Sequence, residues 1–300
     1  MVGGVINRML FSDPLDEKEE LKFYKLKKEL DYFVDELSFG HIFVREWMLR
    51  VPFLNARWKK MLEPVHNIKA FFIKQIEERK KAIEDGSHII DEEPKDYTDA
   101  FIQKMREDAT EGVKNSSFDD ESLVVNILDL WTAGQETTST TLIWAMILLL
   151  RNSQVITNVR EELLRVTGGS RPLSLKDKIE TSYFVATLTE IQRIASILNV
   201  NIFRLTNAEA EIGGHAVPRN TVVSAELSLI LSDSDKFLDP DEFDPSRFIA
   251  NPSLASHMLG NLLLRYSIKC VSGLPSTAEV NKFGIMKKPP HFEMTFDKIA

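Results

Sequence analysis

The residues with the most chemical potential lie inside a long apolar segment. There the sequence Ala-Gly-Gln-Glu-Thr-Thr begins at Ala133 and includes Gly134, Glu136 and Thr137. A glycine inside a helix costs about 1 kcal/mol relative to alanine, so we expect a reason for its presence. A missing side chain lets a flat ligand lie against the helix. The Thr137 hydroxyl is four residues after the Ala133 carbonyl and can bond to it, which would open the helix beside a carboxylate able to relay protons.

The same residues also have a simpler interpretation. Gly134 would permit close packing of a second helix, and the threonine hydroxyls would bond only to their own backbone. A single short motif does not decide between a ligand site and a packing site. Both interpretations therefore stay open on this segment alone.

A second pair of charged residues, Glu190 and Arg193, is three residues apart on a predicted helix. Ile194 and Ile197 give this face apolar neighbours, and a helix that is apolar on most sides is a buried helix. A buried ion pair needs further hydrogen bonds to offset desolvation, and Arg247 is a candidate third member. The alternative is an exposed pair worth a few tenths of a kcal/mol.

Composition excludes several classes of protein. The chain has 300 residues, a net charge of -8 and a pI near 5.4, which argue against nucleic-acid binding because phosphate recognition relies on basic patches. Its one cysteine, Cys270, excludes an intramolecular disulfide and multi-cysteine metal motifs, and fits a reducing compartment.

Hydrophobic periodicity predicts a mainly α fold with a small β region (α+β), in one domain over residues 1–300. We predict a helix that begins near Asp96, a kink or restart at Pro64, and a capping box at Ser117 and Asp120 that opens the longest helix. The other predicted helices cover residues 16–37, 57–85, 152–168, 182–198 and 254–265. Short strands are predicted at 201–205, 209–212, 216–223, 266–271 and 291–296.

The longest unbroken apolar run, Leu142 to Leu150, is shorter than the roughly 20 residues of a membrane-spanning helix. The N-terminus has neither the charged start nor the apolar stretch of a signal peptide. From these features we expect a soluble, cytoplasmic chain with no transmembrane anchor.

Taken together and in this order, these segments resemble the cytochrome P-450 superfamily, and their sequences are most similar to those of animal microsomal members. The residues at 133–138 resemble the family's oxygen-activating helix motif, and those at 190–193 resemble its Glu-x-x-Arg helix. Residues 245–248 resemble the segment that locks that helix, Arg204 matches a family arginine, and residues 212–218 resemble the hairpin after it.

The resemblance implies a partial cytochrome P-450 fold and a haem-dependent monooxygenase. Such an enzyme oxidises small lipophilic organic substrates with O2 and electrons from an NADPH-dependent reductase, at the endoplasmic reticulum membrane. It implies that Glu136 and Thr137 serve oxygen activation and that Ala133 and Gly134 face the haem. The same resemblance assigns purely structural roles to three residues, Glu190, Arg193 and Arg247.

The chain departs from the family pattern at the iron ligand. The family loop reads Phe-x-x-Gly-x-Arg-x-Cys-x-Gly, and the matching offsets around Cys270 hold Leu263, Tyr266, Ile268 and Ser272. We therefore predict that the loop after Phe248 is missing, that Cys270 is no metal ligand and that haem is not held. We also expect a chain truncated at the N-terminus relative to the family. The alternatives to an active enzyme are a non-catalytic remnant or incomplete gene model, and a helical interaction module.

Overall fold

A computed structural model describes residues 2–12, 17–36, 44–249, 266–270, 286–290 and 292–298. The helix predicted near residues 254–265 lies outside these ranges. Most of the described residues are helical. The α-helices are α1 (Val2–Phe11), α2 (Glu17–Glu36), α3 (Pro52–Glu84), α4 (Tyr97–Thr110), α5 (Asp120–Arg151), α6 (Ser153–Thr167), α7 (Ser182–Ala195) and α8 (Leu227–Leu231), and short 3₁₀ turns cover Glu46–Arg50, Leu175–Glu180 and Pro245–Phe248.

Two helix starts differ from the sequence prediction. Helix α3 begins at Pro52 and continues through Pro64, so the predicted restart there is wrong. Pro52 stands at the first helical position, where proline is favourable. Around Pro64, buried residues on both sides, such as Met61 and Ile68, keep the helix continuous. Helix α5 is capped by Asp119, whose Oδ1 accepts the Ser122 backbone N–H at 2.7 Å, rather than by Ser117.

The β structure consists of three antiparallel strand pairs in the described part of the chain. Strand β1 (Arg204–Leu205) pairs with β4 (Val222–Val223), and β2 (Ala210–Ile212) pairs with β3 (His215–Val217). Strand β5 (Tyr266–Cys270) pairs with β6 (Met294–Lys298). The strand predicted over 216–223 is divided in two, because the chain turns at Asn220 with a φ of 65°.

The chain divides into two compact units, Met1–Ser139 and Thr140–Ala300. The core of the first unit collects buried side chains of α2 to α5, among them Leu30, Phe72, Ile102 and Trp131. The core of the second unit collects side chains of α5, α6 and α7, among them Leu149, Val159, Leu163, Phe184 and Ile191. The assignment of one domain to residues 1–300 stays a prediction.

No single helix among the described residues is long and apolar enough to cross a membrane. Helices α5 and α6 meet the length and hydropathy requirement only as a pair, and they are bent by 107° at the break between them.

Candidate functional site

Helix α5 has one buried side and one open side in the first unit. Leu123, Ile127 and Trp131 are fully buried, whereas Leu130 is 46% exposed and Ala133 is exposed. The Thr137 hydroxyl lies half-buried on the same side as Ala133 and donates to the Ala133 carbonyl at 2.8 Å. The predicted backbone bond is therefore present, and the helix remains continuous through it. The exposed surface here therefore includes Ala133, Thr137 and the larger Leu130.

Gly134 lies next to that open side but faces α1. A Cβ added at Gly134 would lie 3.0 Å from Cδ1 and 3.6 Å from Cγ1 of Ile6. That distance is tighter than ordinary van der Waals contact, so the absent side chain allows α1 to approach α5. The geometry of Gly134 itself therefore matches the helix-packing interpretation. The haem-facing role of Ala133 and Gly134 stays a prediction.

Glu136 points into the buried side of α5. Its side chain is 4% exposed, and its Oε2 accepts from Lys27 Nζ of α2 at 2.8 Å. Lys27 also donates to Asp31, one turn further along α2. Burial raises the pKa of Asp31, while the Lys27 ammonium opposes that rise. One cation thus serves two carboxylates, and Glu136 is held by an ion pair on a different side of the helix from Thr137.

Sequence reasoning did not find Lys27 or Asp31. Their partner Glu136 is 109 residues from Lys27 in the chain, and α2 is so rich in charge that no local pattern distinguishes these two residues. Gln135 lies in the motif at 133–138, but sequence reasoning assigned it no role. Its Oε1 is buried without a hydrogen-bond partner among the described residues, although its Nε2 contacts Ser139 Oγ at 3.4 Å.

The structure brings Glu190, Arg193 and Arg247 together in the second unit. Arg193 binds Glu190 in a bidentate pair, with Nε to Oε2 at 2.7 Å and Nη2 to Oε1 at 2.8 Å. Arg247 Nε and the Asp244 backbone N–H both donate to Glu190 Oε1, at 3.2 and 3.0 Å. Glu190 is fully buried, so this is the buried pair of the two interpretations. Its four accepted hydrogen bonds offset much of the desolvation cost.

Both arginines also hold backbone carbonyls. Arg193 Nη1 donates to the Leu231 carbonyl at 2.8 Å, and Arg247 Nη1 donates to the Leu238 carbonyl at 2.9 Å. The Arg193 guanidinium lies 4.9 Å from the centre of the Phe237 ring. Glu190 and its two arginines thereby fix the chain that follows α8 against α7, and their structural role stays a prediction.

A buried charge cluster in the first unit was not predicted. Arg79 of α3 donates to Asp96 Oδ2 at 3.0 Å and to Asp99 Oδ1 at 2.7 Å, and also contacts the Phe11 carbonyl. His88 Nε2 lies 2.8 Å from Asp99 Oδ2. Asp96 is also the N-cap of α4, where its side chain accepts the Asp99 N–H. The cluster joins the ends of α1, α3 and α4. In the sequence, the Asp-x-x-Asp pattern at the start of α4 indicates a helix cap but gives no sign of the contact with Arg79.

Cys270 is the last residue of β5 and is paired in register with Met294 of β6. The predicted placement of the cysteine on a strand is therefore observed. In the described part of the chain no group of three or more His, Cys, Asp or Glu side chains is arranged to hold a metal ion. The backbone around Cys270 is a regular antiparallel ladder, whereas the family holds its iron through a cysteine on a loop. That Cys270 is no metal ligand and that haem is not held stay predictions.

Comparison with known proteins identifies the family. The family model described as Cytochrome P450 matches residues 1–262. Probable cytochrome P450 cyp-35D1 of Caenorhabditis elegans is 32% identical over 314 aligned positions, which cover 96% of this chain and 62% of that protein. Cytochrome P450 2C23 of Rattus norvegicus is 32% identical over 203 positions, which cover 68% of this chain and 40% of that protein. The chain belongs to the cytochrome P450 family.

A solved structure agrees on the fold. A zebra fish cytochrome P450 with abiraterone superimposes with a TM-score of 0.78 at 23% identity, over 99% of this chain and 70% of that one. The predicted partial P-450 fold is confirmed. The chain spans about 62% of the length of the nematode relative that it matches.

Proposed function

We propose that this chain derives from a haem-dependent monooxygenase and does not itself ligate haem iron. The ancestral reaction inserts one atom of O2 into a small lipophilic substrate and releases the other as water. Its electrons come from an NADPH-dependent reductase at the endoplasmic reticulum membrane. Membership of the family supports the reaction class. The single observation that carries the loss of ligation is the place of Cys270 in the β5–β6 ladder.

The family resemblance assigns roles to the residues of α5. Ala133 and Gly134 would border the cofactor, and Thr137 with Glu136 would deliver protons. The Thr137 hydroxyl on the open side is consistent with contact to a bound ligand. Glu136 would first have to leave Lys27, because the ion pair occupies its carboxylate. Glu190, Arg193 and Arg247 keep a structural role in this proposal.

The alignment lengths support a missing internal segment. Because 96% of 300 residues is about 288, about 26 of the 314 positions aligned with the nematode relative face no residue of this chain. If these positions form one segment after Phe248, that segment is long enough to contain the ligand loop predicted to be missing there. A remnant or an incomplete gene model thus accounts for both the family motifs and the lost ligand.

Haem titration of the purified protein tests this proposal. We expect no Soret band with thiolate character, and no band on reduction with carbon monoxide at the wavelength from which the family takes its name. The matched control is Cys270→Ser, which should give the same spectra as the wild-type chain. A thiolate spectrum in the wild type that disappears in Cys270→Ser would refute the proposal.

Sequencing the transcript across the codons for Phe248 to Asn261 separates the two explanations for the missing loop. An incomplete gene model predicts extra codons there, including one for cysteine. A genuine remnant predicts a continuous reading frame that matches the present chain.

A further inference from the structure

A cavity of about 630 Å³ lies inside the unit formed by residues 140–300. Its wall consists of the C-terminal ends of α5 and α7, part of α8, residues 240–243 and Lys287. The volume falls in the range of small-molecule sites in proteins, roughly 300 to 1,000 Å³. None of the roles implied by the family motifs uses this space.

Lys287 supplies a positioned cation in the cavity wall. Its backbone N–H donates to the Ile197 carbonyl at 2.8 Å, and its carbonyl accepts from Trp144 Nε1 at 2.9 Å. The Nζ donates to the Ile194 carbonyl at 3.1 Å and lies 5.0 Å from the centre of the Trp144 ring. Among the described residues the Nζ makes this one hydrogen bond and forms no ion pair with a carboxylate, and an ammonium has three N–H donors.

Ser196 supplies a second polar group in the same part of the wall. Only 8% of Ser196 is exposed, and its Oγ is buried with no hydrogen-bond partner within the described chain. Ser196 follows Ile194, which holds the Lys287 ammonium, by two residues. A buried hydroxyl without a partner is costly, and a ligand acceptor would relieve that cost.

The remaining wall favours an anion with an apolar body. Arg151 and Lys287 line the cavity against a single carboxylate, Asp241, while Arg193 is neutralised by Glu190. Leu148 and Phe243 provide apolar surface on the same wall. The excess of cationic side chains in the wall favours a negatively charged ligand, and the apolar side chains favour a ligand with a hydrocarbon part.

We propose that this cavity binds an organic monocarboxylate. The carboxylate accepts hydrogen bonds from the Lys287 ammonium and the Ser196 hydroxyl, and the hydrocarbon part contacts Leu148 and Phe243. The site is separate from Glu136 and Thr137 of α5, which are predicted to serve oxygen activation, and it does not require haem.

Calorimetric titration of the full chain with octanoate, octan-1-ol and octylamine tests the site. We expect octanoate to bind saturably at one site and at least tenfold more tightly than octan-1-ol, with no saturable binding of octylamine. Equal binding of the acid and the alcohol, or no saturable binding of octanoate, would overturn the proposal.

Variants locate the site. Lys287→Gln should weaken octanoate binding at least tenfold, and Lys287→Arg should restore most of it. Lys236→Gln removes an exposed lysine of the same unit that does not line the cavity, and should bind octanoate as the wild type does. Unchanged binding by a folded Lys287→Gln variant would contradict the assignment. If that variant does not fold, the relative affinities of the wild-type chain for octanoate, octan-1-ol and octylamine still test the proposal.

Discussion

At the residue scale, Glu136 and Thr137 are neighbours in sequence but have different surroundings. Successive residues of an α-helix point about 100° apart, so one side chain lies on the open side of α5 and the other on its buried side. The sequence predicts a joint role for them, and the structure adds that Lys27 holds Glu136. Which side of a helix is open depends on the helices that pack against it.

Gly134 gives a prediction about packing. Alanine at this position gains up to about 1 kcal/mol of helix propensity, but its Cβ would press on Ile6 Cδ1 at 3.0 Å. We expect Gly134→Ala to leave the free energy of unfolding nearly unchanged in chemical denaturation. Gly4→Ala in α1, where a Cβ meets nothing within 4 Å, should stabilise the chain by up to about 1 kcal/mol.

The contact with Ile6 can be tested by a double-mutant cycle. Ile6→Val removes the Cδ1 atom, so Gly134→Ala should become stabilising in that background. An equal effect of Gly134→Ala in both backgrounds would show that Ile6 does not limit the position.

The buried carboxylate Asp99 gives a second prediction at this scale. Asp99→Asn leaves Arg79 with one of its two carboxylate partners and removes the carboxylate that faces His88. Because the neutral amide weakens the charge-assisted hydrogen bonds of this buried carboxylate, we expect a loss of about 1.5 to 3 kcal/mol in the free energy of unfolding, measured by urea titration. Asp91→Asn at the surface pair with Lys95 is the control and should leave the urea midpoint unchanged.

At the scale of elements, Glu190 is the point where α7 holds the chain that follows α8. Its Oε1 accepts the Asp244 backbone N–H at the start of the 3₁₀ turn Pro245–Phe248, and its carboxylate binds both arginines. This single side chain therefore joins two elements that are 54 residues apart in sequence.

Glu190→Gln should loosen that junction. The amide presents one oxygen instead of two and adds two N–H donors facing arginine, so we expect a loss of about 3 kcal/mol in the free energy of unfolding. In hydrogen exchange, the Asp244 amide should lose protection before the amides of α6. Glu242→Gln, where only the backbone carbonyl contacts the arginines, is the control. Unchanged protection at Asp244 would contradict the assigned role.

The 3₁₀ turn Leu175–Glu180 gives a pH prediction. The Arg171 guanidinium, followed by the Ser174 backbone N–H, holds the pKa of Asp177 well below its usual range. Because the folded-state pKa lies below the unfolded value of about 3.9, the carboxylate contributes stability above that value. This contribution is lost as the pH falls from about 4 toward the folded-state pKa. Asp177→Asn should therefore be less stable than wild type near neutral pH, and the difference should shrink on acidification in thermal melts.

At the scale of the whole molecule, the fold superimposes on a solved cytochrome P450 with a TM-score of 0.78 over 99% of this chain. Residues at 133–138, 190–193 and 245–248 occur in the family order, which is why sequence alone predicted the fold class. The two compact units each have their own buried core.

Added haemin tests the whole chain. A ligand that binds only the folded state raises its stability by RT ln(1 + [L]/Kd), or about 2.7 kcal/mol at one hundred times Kd. Because we propose that no thiolate ligates the iron, we expect haemin to leave the thermal unfolding midpoint unchanged, as in Cys270→Ser. A midpoint that rises with haemin concentration in the wild type alone would show ligation through Cys270.

The sequence by itself determined most of the helices, the family and the residues of the Glu190 network, because periodicity and short motifs are local properties. It also located Cys270 on a strand. The sequence did not predict the start of α5 or the continuity of α3 through Pro64, because the choice of cap and the packing around a proline depend on neighbouring elements. Only the tertiary structure decided that Gly134 meets Ile6, that Lys27 holds Glu136, and that Arg79 gathers Asp96 and Asp99. Those contacts join residues distant along the chain, and burial in the folded core sets their strength.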